Sequence, residues 1–146
     1  METHCDFSKP EEVLCAFWRE MYEWELEAAR SYSRNRSNGT MEQWPEQMQA
    51  SWKPIFEKYC TKKKRVRSEY RSIGTPFYYD PRYENILEVT YTSTRRVLIK
   101  TQQVEKVKGE FIPMGEYFYV LLKQRGKWLV DNRYFYTMDK IVRGTL

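Results

Sequence analysis

The spacing of apolar residues changes once along this chain, and that change limits the fold more than any other feature. Early on they recur at Val13, Leu14, Phe17, Trp18, Met21, Trp24 and Ala28, the helical period that gathers them on one side. Glu12, Arg19, Glu20, Glu23 and Glu27 fill the other side. From residue 77 the period falls to two. Leu87, Val89 and Tyr91 alternate with Glu88, Thr90 and Thr92, and Val97, Ile99 and Thr101 with Arg96, Leu98 and Lys100. Successive side chains of a strand point to opposite faces, so this is strand texture. Helices first and antiparallel strands after them predict an α+β fold, with the helices packed on one face of a curved sheet. The 146 residues fit a single domain, 1–146.

Local signals set the expected boundaries. Ser8-Lys9-Pro10-Glu11 reads as a helix start, with Ser8 capping free N–H groups and Glu11 reaching back. Pro10 sits where a missing N–H is tolerated. The first helix is predicted over about 9–32, followed by a polar loop, SYSRNRSNGT (31–40), that ends in Asn38-Gly39. A second apolar stripe joins Trp44, Met48, Trp52, Ile55, Phe56, Tyr59 and Cys60. Pro45 and Pro54 predict that it is split into two short helices, about 45–51 and 53–62. The sheet is expected from about 77 to 138, with Thr92-Ser93-Thr94 as its first turn. Trp18, Trp24, Trp52 and Trp128 are expected in the core.

The segment EYFYVLLKQRGKWLVDNRYFY (116–136) reads as a hairpin that is apolar on both faces. With Gln124-Arg125-Gly126 as a three-residue loop, Leu122 faces Trp128 and Val120 faces Val130. Phe118, Val120, Leu122, Trp128, Val130, Asn132 and Tyr134 then share the face assigned to the helices. Tyr117, Tyr119, Leu121, Leu129, Asp131, Arg133 and Phe135 share the outer one. A loop shorter by one residue scrambles this pairing. Aromatics and Arg among apolar groups suit a protein interface. Cover by another part of the chain and a symmetric homodimer are the alternatives.

Chemistry finds little to work with. His4 is the only histidine, and it lies in a polar segment before the first helix. Ser-His-Asp and Cys-His catalysis need a positioned histidine. No HExxH, Walker loop or GxGxxG occurs. Cys5, Cys15 and Cys60 are odd in number and widely spaced, which argues against disulfides and zinc. No metal or cofactor is expected. Asp80 or Asp131 beside a tyrosine hydroxyl in a cavity is the remaining route to catalysis. Lys62-Lys63-Lys64-Arg65-Val66-Arg67, with Arg71, reads as a solvated cluster at a helix end and not a nucleic-acid site. No run approaches the ~20 apolar residues of a membrane span. METHCDFSKPEE has no signal-peptide pattern, so the protein is expected in the cytoplasm.

The long first helix, two shorter ones and a sheet ending in YFYVLLKQRGKWLV resemble the nuclear transport factor 2-like fold, a cone whose curved sheet holds the helices. FWREMYEWELEAA (17–29), GTPFYYDPRYENILEV (74–89) and the terminal hairpin are similar to immunity proteins of bacterial polymorphic toxin systems, including those beside Rhs-type toxins. That resemblance implies a protein without catalytic residues that binds and silences one cognate toxin domain. The alternative within the same superfold is a dehydratase- or isomerase-type enzyme with an Asp/Tyr pair. The expected contact residues are Tyr117, Tyr119, Leu121, Leu129, Arg133 and Phe135, with Arg96 and Lys100 on the same face of the neighbouring hairpin. A monomer is expected rather than a homodimer.

Charge leaves the toxin-binding side open. Residues 1–61 hold seven basic and eleven acidic residues, and residues 62–146 hold eighteen and nine. If the sheet binds, its partner is acidic. If Glu20, Glu23 and Glu27 of the first helix bind, the sign reverses.

Overall fold

A computed structural model describes residues 5–63, 79–137 and 140–143, without the side chains of 43–50 and of 136 onward. Two helices, α1 (Pro10–Asn38) and α2 (Trp44–Tyr59), precede five strands: β1 (Glu84–Ser93), β2 (Arg96–Val107), β3 (Glu110–Gln124), β4 (Lys127–Thr137) and β5 (Lys140–Arg143). All neighbours are antiparallel, in the order β1-β2-β3-β4-β5. The helices lie on the concave face of this curved sheet, as the change of period predicts.

α1 is longer than predicted and starts differently. Lys9 occupies the N-cap position without a side-chain bond. Ser8 instead turns back to Asp6, whose Oδ1 accepts from both its backbone N–H (2.9 Å) and its hydroxyl. The polar stretch predicted as a loop continues the helix to Asn38. Arg34 pairs with Glu27 at 2.7 Å, and Asn35 donates to the Ser31 carbonyl at 2.8 Å. Gly39, at φ 70°, supplies the left-handed stop, and the Thr40 N–H closes on the Asn35 carbonyl at 2.9 Å. α2 is one helix where two were predicted. Pro54 lies inside it and removes one backbone hydrogen bond. Trp52, Phe56 and Tyr59, packed in the core with α1, carry the helix through that defect.

The core joins α1 and α2 to the sheet. Phe17 meets Phe56 and Tyr79 edge-on at 5.4 and 5.6 Å, and Trp18 meets Tyr119 at 5.7 Å. Trp18, Trp24, Trp52 and Trp128 are all buried, as expected. Val97 and Ile99 point inward with Thr101, while Arg96, Leu98 and Lys100 point outward. The edge of β4 beyond the reach of β5 is covered by backbone. Trp128 N–H donates to the Phe7 carbonyl and Thr61 N–H to the Val130 carbonyl, each at 2.9 Å.

The terminal hairpin overturns the predicted register. Its turn has two residues, Arg125 (φ 53°) and Gly126 (φ 78°), so Gln124 pairs with Lys127 and Leu122 with Leu129. Positive φ at both positions matches the twist of the flanking strands. Four pairs later the ladder slips: Leu121 pairs with Val130 but Val120 with Asn132, leaving Asp131 as a bulge. The shorter turn inverts the faces of β3, and the bulge shifts the phase of β4 beyond it. Tyr117, Tyr119, Leu121, Trp128, Val130, Arg133 and Phe135 therefore share the helix side. Phe118, Val120, Leu122, Leu129, Asn132 and Tyr134 share the outer side.

Candidate functional site

The inside of the cone holds a compact polar group among aromatic rings. Arg133 lies within 6.0 Å of three tyrosine rings, Tyr117 (5.0 Å), Tyr79 (5.6 Å) and Tyr119 (6.0 Å), and its Nη1 is 3.5 Å from the Tyr119 hydroxyl. Glu84, at the start of β1, accepts from Thr101 Oγ1 at 2.8 Å and has no other hydrogen-bond partner for Oε2 among the described residues. Burial pushes its carboxyl up to about 7, although the Thr101 bond and the charge of Arg133 both pull it down. Burial, followed by the Glu84 charge, also raises Tyr119. Glu25 of α1 accepts from the Tyr79 backbone N–H at 2.8 Å.

This cluster is not the Asp/Tyr pair that the sequence suggested. Asp80 caps the short turn Pro81–Tyr83 and takes a forked bond from Arg82, at 3.0 Å to Nε and 2.7 Å to Nη2. The same guanidinium reaches the Tyr22 hydroxyl at 3.0 Å. Asp131, on the bulge, accepts from Thr61 Oγ1 at 2.6 Å and pairs with Lys63 at 3.2 Å. Both aspartates tie loops to the frame. The three cysteines are free, and burial raises the thiols of Cys5 and Cys15, which favours their protonated form. His4 and the run from Lys64 to Arg67, with Arg71, lie outside the described residues.

The expected contact surface divides between the two faces of the sheet. Tyr119 and Leu121 are fully buried and Arg133 is 6% exposed, so none of the three is a surface contact. The assumed three-residue turn is the cause, because one residue of register exchanges the faces. Tyr117 and Phe135 are half-buried on the helix side, with their rings 6.3 Å apart. Leu129 and Lys100 are half-buried on the outer side, and Arg96 is exposed there. Arg96 and Lys100 thus face away from Tyr117, not with it.

Sequence reasoning missed the composition of the true outer face. Leu98, Val120 and Asn132 stand side by side across three strands, as do Lys100, Phe118 and Tyr134. Lys100 lies 5.9 Å from the Phe118 ring and pairs with Glu116 at 3.4 Å. Beyond it, residues 104–107 of β2 and 110–113 of β3 pair, among the described residues, only with each other. Phe111 on this ribbon is 60% exposed, and Met114, at the irregularity that ends it, 59%. The signals for the outer face were the Arg-Gly pair as a two-residue turn and the even spacing of Leu98, Lys100 and Val104.

A family model described as NTF2 fold immunity protein matches residues 9–143. The chain belongs to this family of immunity proteins. The match runs from the residue before α1 to the last residue of β5, and so covers every element described above. No curated protein and no solved structure matches the chain. No described helix is long and apolar enough to cross a membrane. For an immunity chain the division of the sheet is informative: one face is filled by the helices, and the other presents aliphatic and aromatic side chains with cations between them.

Proposed function

We propose that this immunity protein neutralises one cognate bacterial toxin domain by direct contact, without catalysis, through the outer face of its sheet. The observation that carries the reading is the apolar outer face, with Leu98, Phe118, Leu122, Leu129 and Tyr134 all half-buried and both helices on the opposite side. Leu129, Lys100 and Arg96 remain from the expected contact set. The acidic side of α1 is the weaker candidate because it is partly spent within the chain. Glu20 pairs with Lys58, and Glu27 with Arg30 and Arg34.

The test is co-expression with the toxin domain encoded beside this gene. Wild type is expected to restore growth and to co-purify with the toxin. Leu122→Asp and Leu129→Asp are expected to lose both while their denaturation midpoints stay close to wild type. No rescue and no co-purification by wild type overturns the reading. Rescue untouched by the outer-face variants keeps the function and moves the contact. The protein acts here as a monomer, and light scattering at micromolar concentration checks that. A tight dimer through the outer face would occupy the proposed contact.

A second reading, small-molecule acid–base chemistry in the cone, rests on Glu84, a buried carboxyl held near neutrality beside a phenol. Native mass spectrometry of the purified protein tests it. A small molecule retained by wild type and lost in Glu84→Gln would favour it.

A further inference from the structure

The two turns at one end of the sheet bring five cations together with no acid among them. The β1–β2 turn and the strand end beside it carry Arg95 and Arg96, and the β3–β4 turn and the strand ends beside it carry Lys123, Arg125 and Lys127. The turns are adjacent in space, because Arg96 pairs with Leu122 and the Lys123 N–H donates to the Arg95 carbonyl at 2.9 Å. All five side chains are exposed, and among the described residues none forms an ion pair. Residues 89–100 and 117–130, which build this end, contain no Asp or Glu. Of the acids in neighbouring segments, Asp6 accepts from Ser8, Glu12 pairs with Lys9 at 3.7 Å, and Asp131 pairs with Lys63.

We infer that this basic end is a docking surface for an acidic patch on the toxin, an inference that rests on the toxin-binding reading above. Lys123 and Lys127 rest over the rings of Trp128 and Phe7, at 5.8 and 5.2 Å, but five like charges on two adjacent turns still repel one another, and an opposite charge on a partner would relieve that repulsion. The partner is a protein and not a nucleic acid because of what adjoins the charges. Leu98, Leu122 and Leu129 continue the surface onto the outer face. Single-strand binders combine a basic groove with stacked aromatic platforms, whereas the charges here stand on two tight turns. A basic rim beside an apolar centre steers encounter and sets orientation, while the apolar residues hold the complex.

The experiment measures association and dissociation rates between the purified chain and a catalytically inactive copy of the toxin domain, at 50 and 500 mM salt. The variant is Arg95→Glu with Arg125→Asp; an aspartate tolerates the left-handed backbone at position 125. Its denaturation midpoint is expected to be no lower than that of wild type. Wild-type association is expected to slow about tenfold or more between the two salt concentrations, and the variant at low salt to associate at least tenfold more slowly with a flattened salt response. Dissociation should change less than threefold. A variant that associates within twofold of wild type, with the same salt response, overturns the inference while wild-type binding keeps the toxin reading. Wild type that does not bind the toxin overturns both. A 20-base-pair DNA duplex is the control: if wild type binds it at 0.15 M salt and the variant does not, with toxin association equal in both, the basic end serves a polyanion and the inference fails.

Discussion

Glu84 gives the most direct handle on the inside of the cone. Its carboxyl sits at about 7 in the folded chain against an ordinary 4.5. At about 1.4 kcal/mol per pH unit, the difference amounts to about 3 kcal/mol. The sign follows from which state holds the proton. Below pH about 4.5 both states are protonated and burial of Glu84 carries no penalty. Between about 4.5 and 7 the unfolded chain releases the proton while the folded chain keeps it, so stability falls as pH rises. Above about 7 both states are ionised and the full penalty is present.

Glu84→Gln removes the titration and keeps an oxygen for the Thr101 hydroxyl. The new amide N–H group needs an acceptor, and its absence would cost about 1 kcal/mol or more at every pH. The slope of the difference with pH is therefore the quantity to read, not its offset. Urea titrations of both proteins from pH 4.5 to 8.5 are expected to show the variant gaining on wild type by about 3 kcal/mol across the range, with most of the gain below pH 7.5. A pH-independent difference would refute the reasoning. So would a variant that loses ground as pH rises, because the attraction of Arg133 would then outweigh burial and hold the carboxyl below its ordinary value.

Other substitutions separate the two faces of the sheet. Trp128→Ala should lower stability by about 3–5 kcal/mol in a denaturant titration, and a loss below about 1 kcal/mol would contradict its burial. Tyr119→Ala should cost about 3 kcal/mol or more, since the ring packs on Trp18; a near-neutral effect would restore it to the surface. Leu129→Asp should change stability by about 1 kcal/mol or less yet abolish toxin co-purification. Gly126→Ala should cost about 1–2 kcal/mol, because an alanine side chain is strained at φ 78°.

The fold class was legible because its signals are long. Seven apolar positions at helical spacing in α1, and the inward Val97 and Ile99 of β2, do not depend on any single residue. The end of α1 was not legible. Residues 31–38 carry no apolar stripe, and the contacts that keep them helical, Arg34 to Glu27 and Asn35 to Ser31, are polar and local. Pro54 misled for the opposite reason: its local effect is real, but the packing around Trp52 and Phe56 outweighs it. The candidate site depended on register, and register depended on whether one turn has two residues or three. Reading Arg125-Gly126 as the whole turn would have placed Tyr119 and Leu121 inside. The Asp131 bulge, which brings Arg133 in beside them, has no comparable sign in the sequence.

That single residue of register also reassigns which chemistry faces the outside. Under the three-residue turn, the aromatic and cationic side chains would have formed one exposed surface. Under the observed turn they separate. The rings of Tyr117 and Tyr119 and the charge of Arg133 belong to the cone, where a buried guanidinium is surrounded by aromatic faces and opposed by Glu84. The exposed cations lie instead at the turns, without acids beside them, next to an aliphatic face. Part of the acidic charge of the first third is met within that third, because Glu20 and Glu27 of α1 pair with Lys58, Arg30 and Arg34. Among the described residues, the five cations of the two turns at one end of the sheet stand without an ion pair. A toxin whose own active cleft is basic would be repelled by that end. The charge distribution therefore favours a partner met through an acidic surface, whether that surface is its active site or a patch beside it.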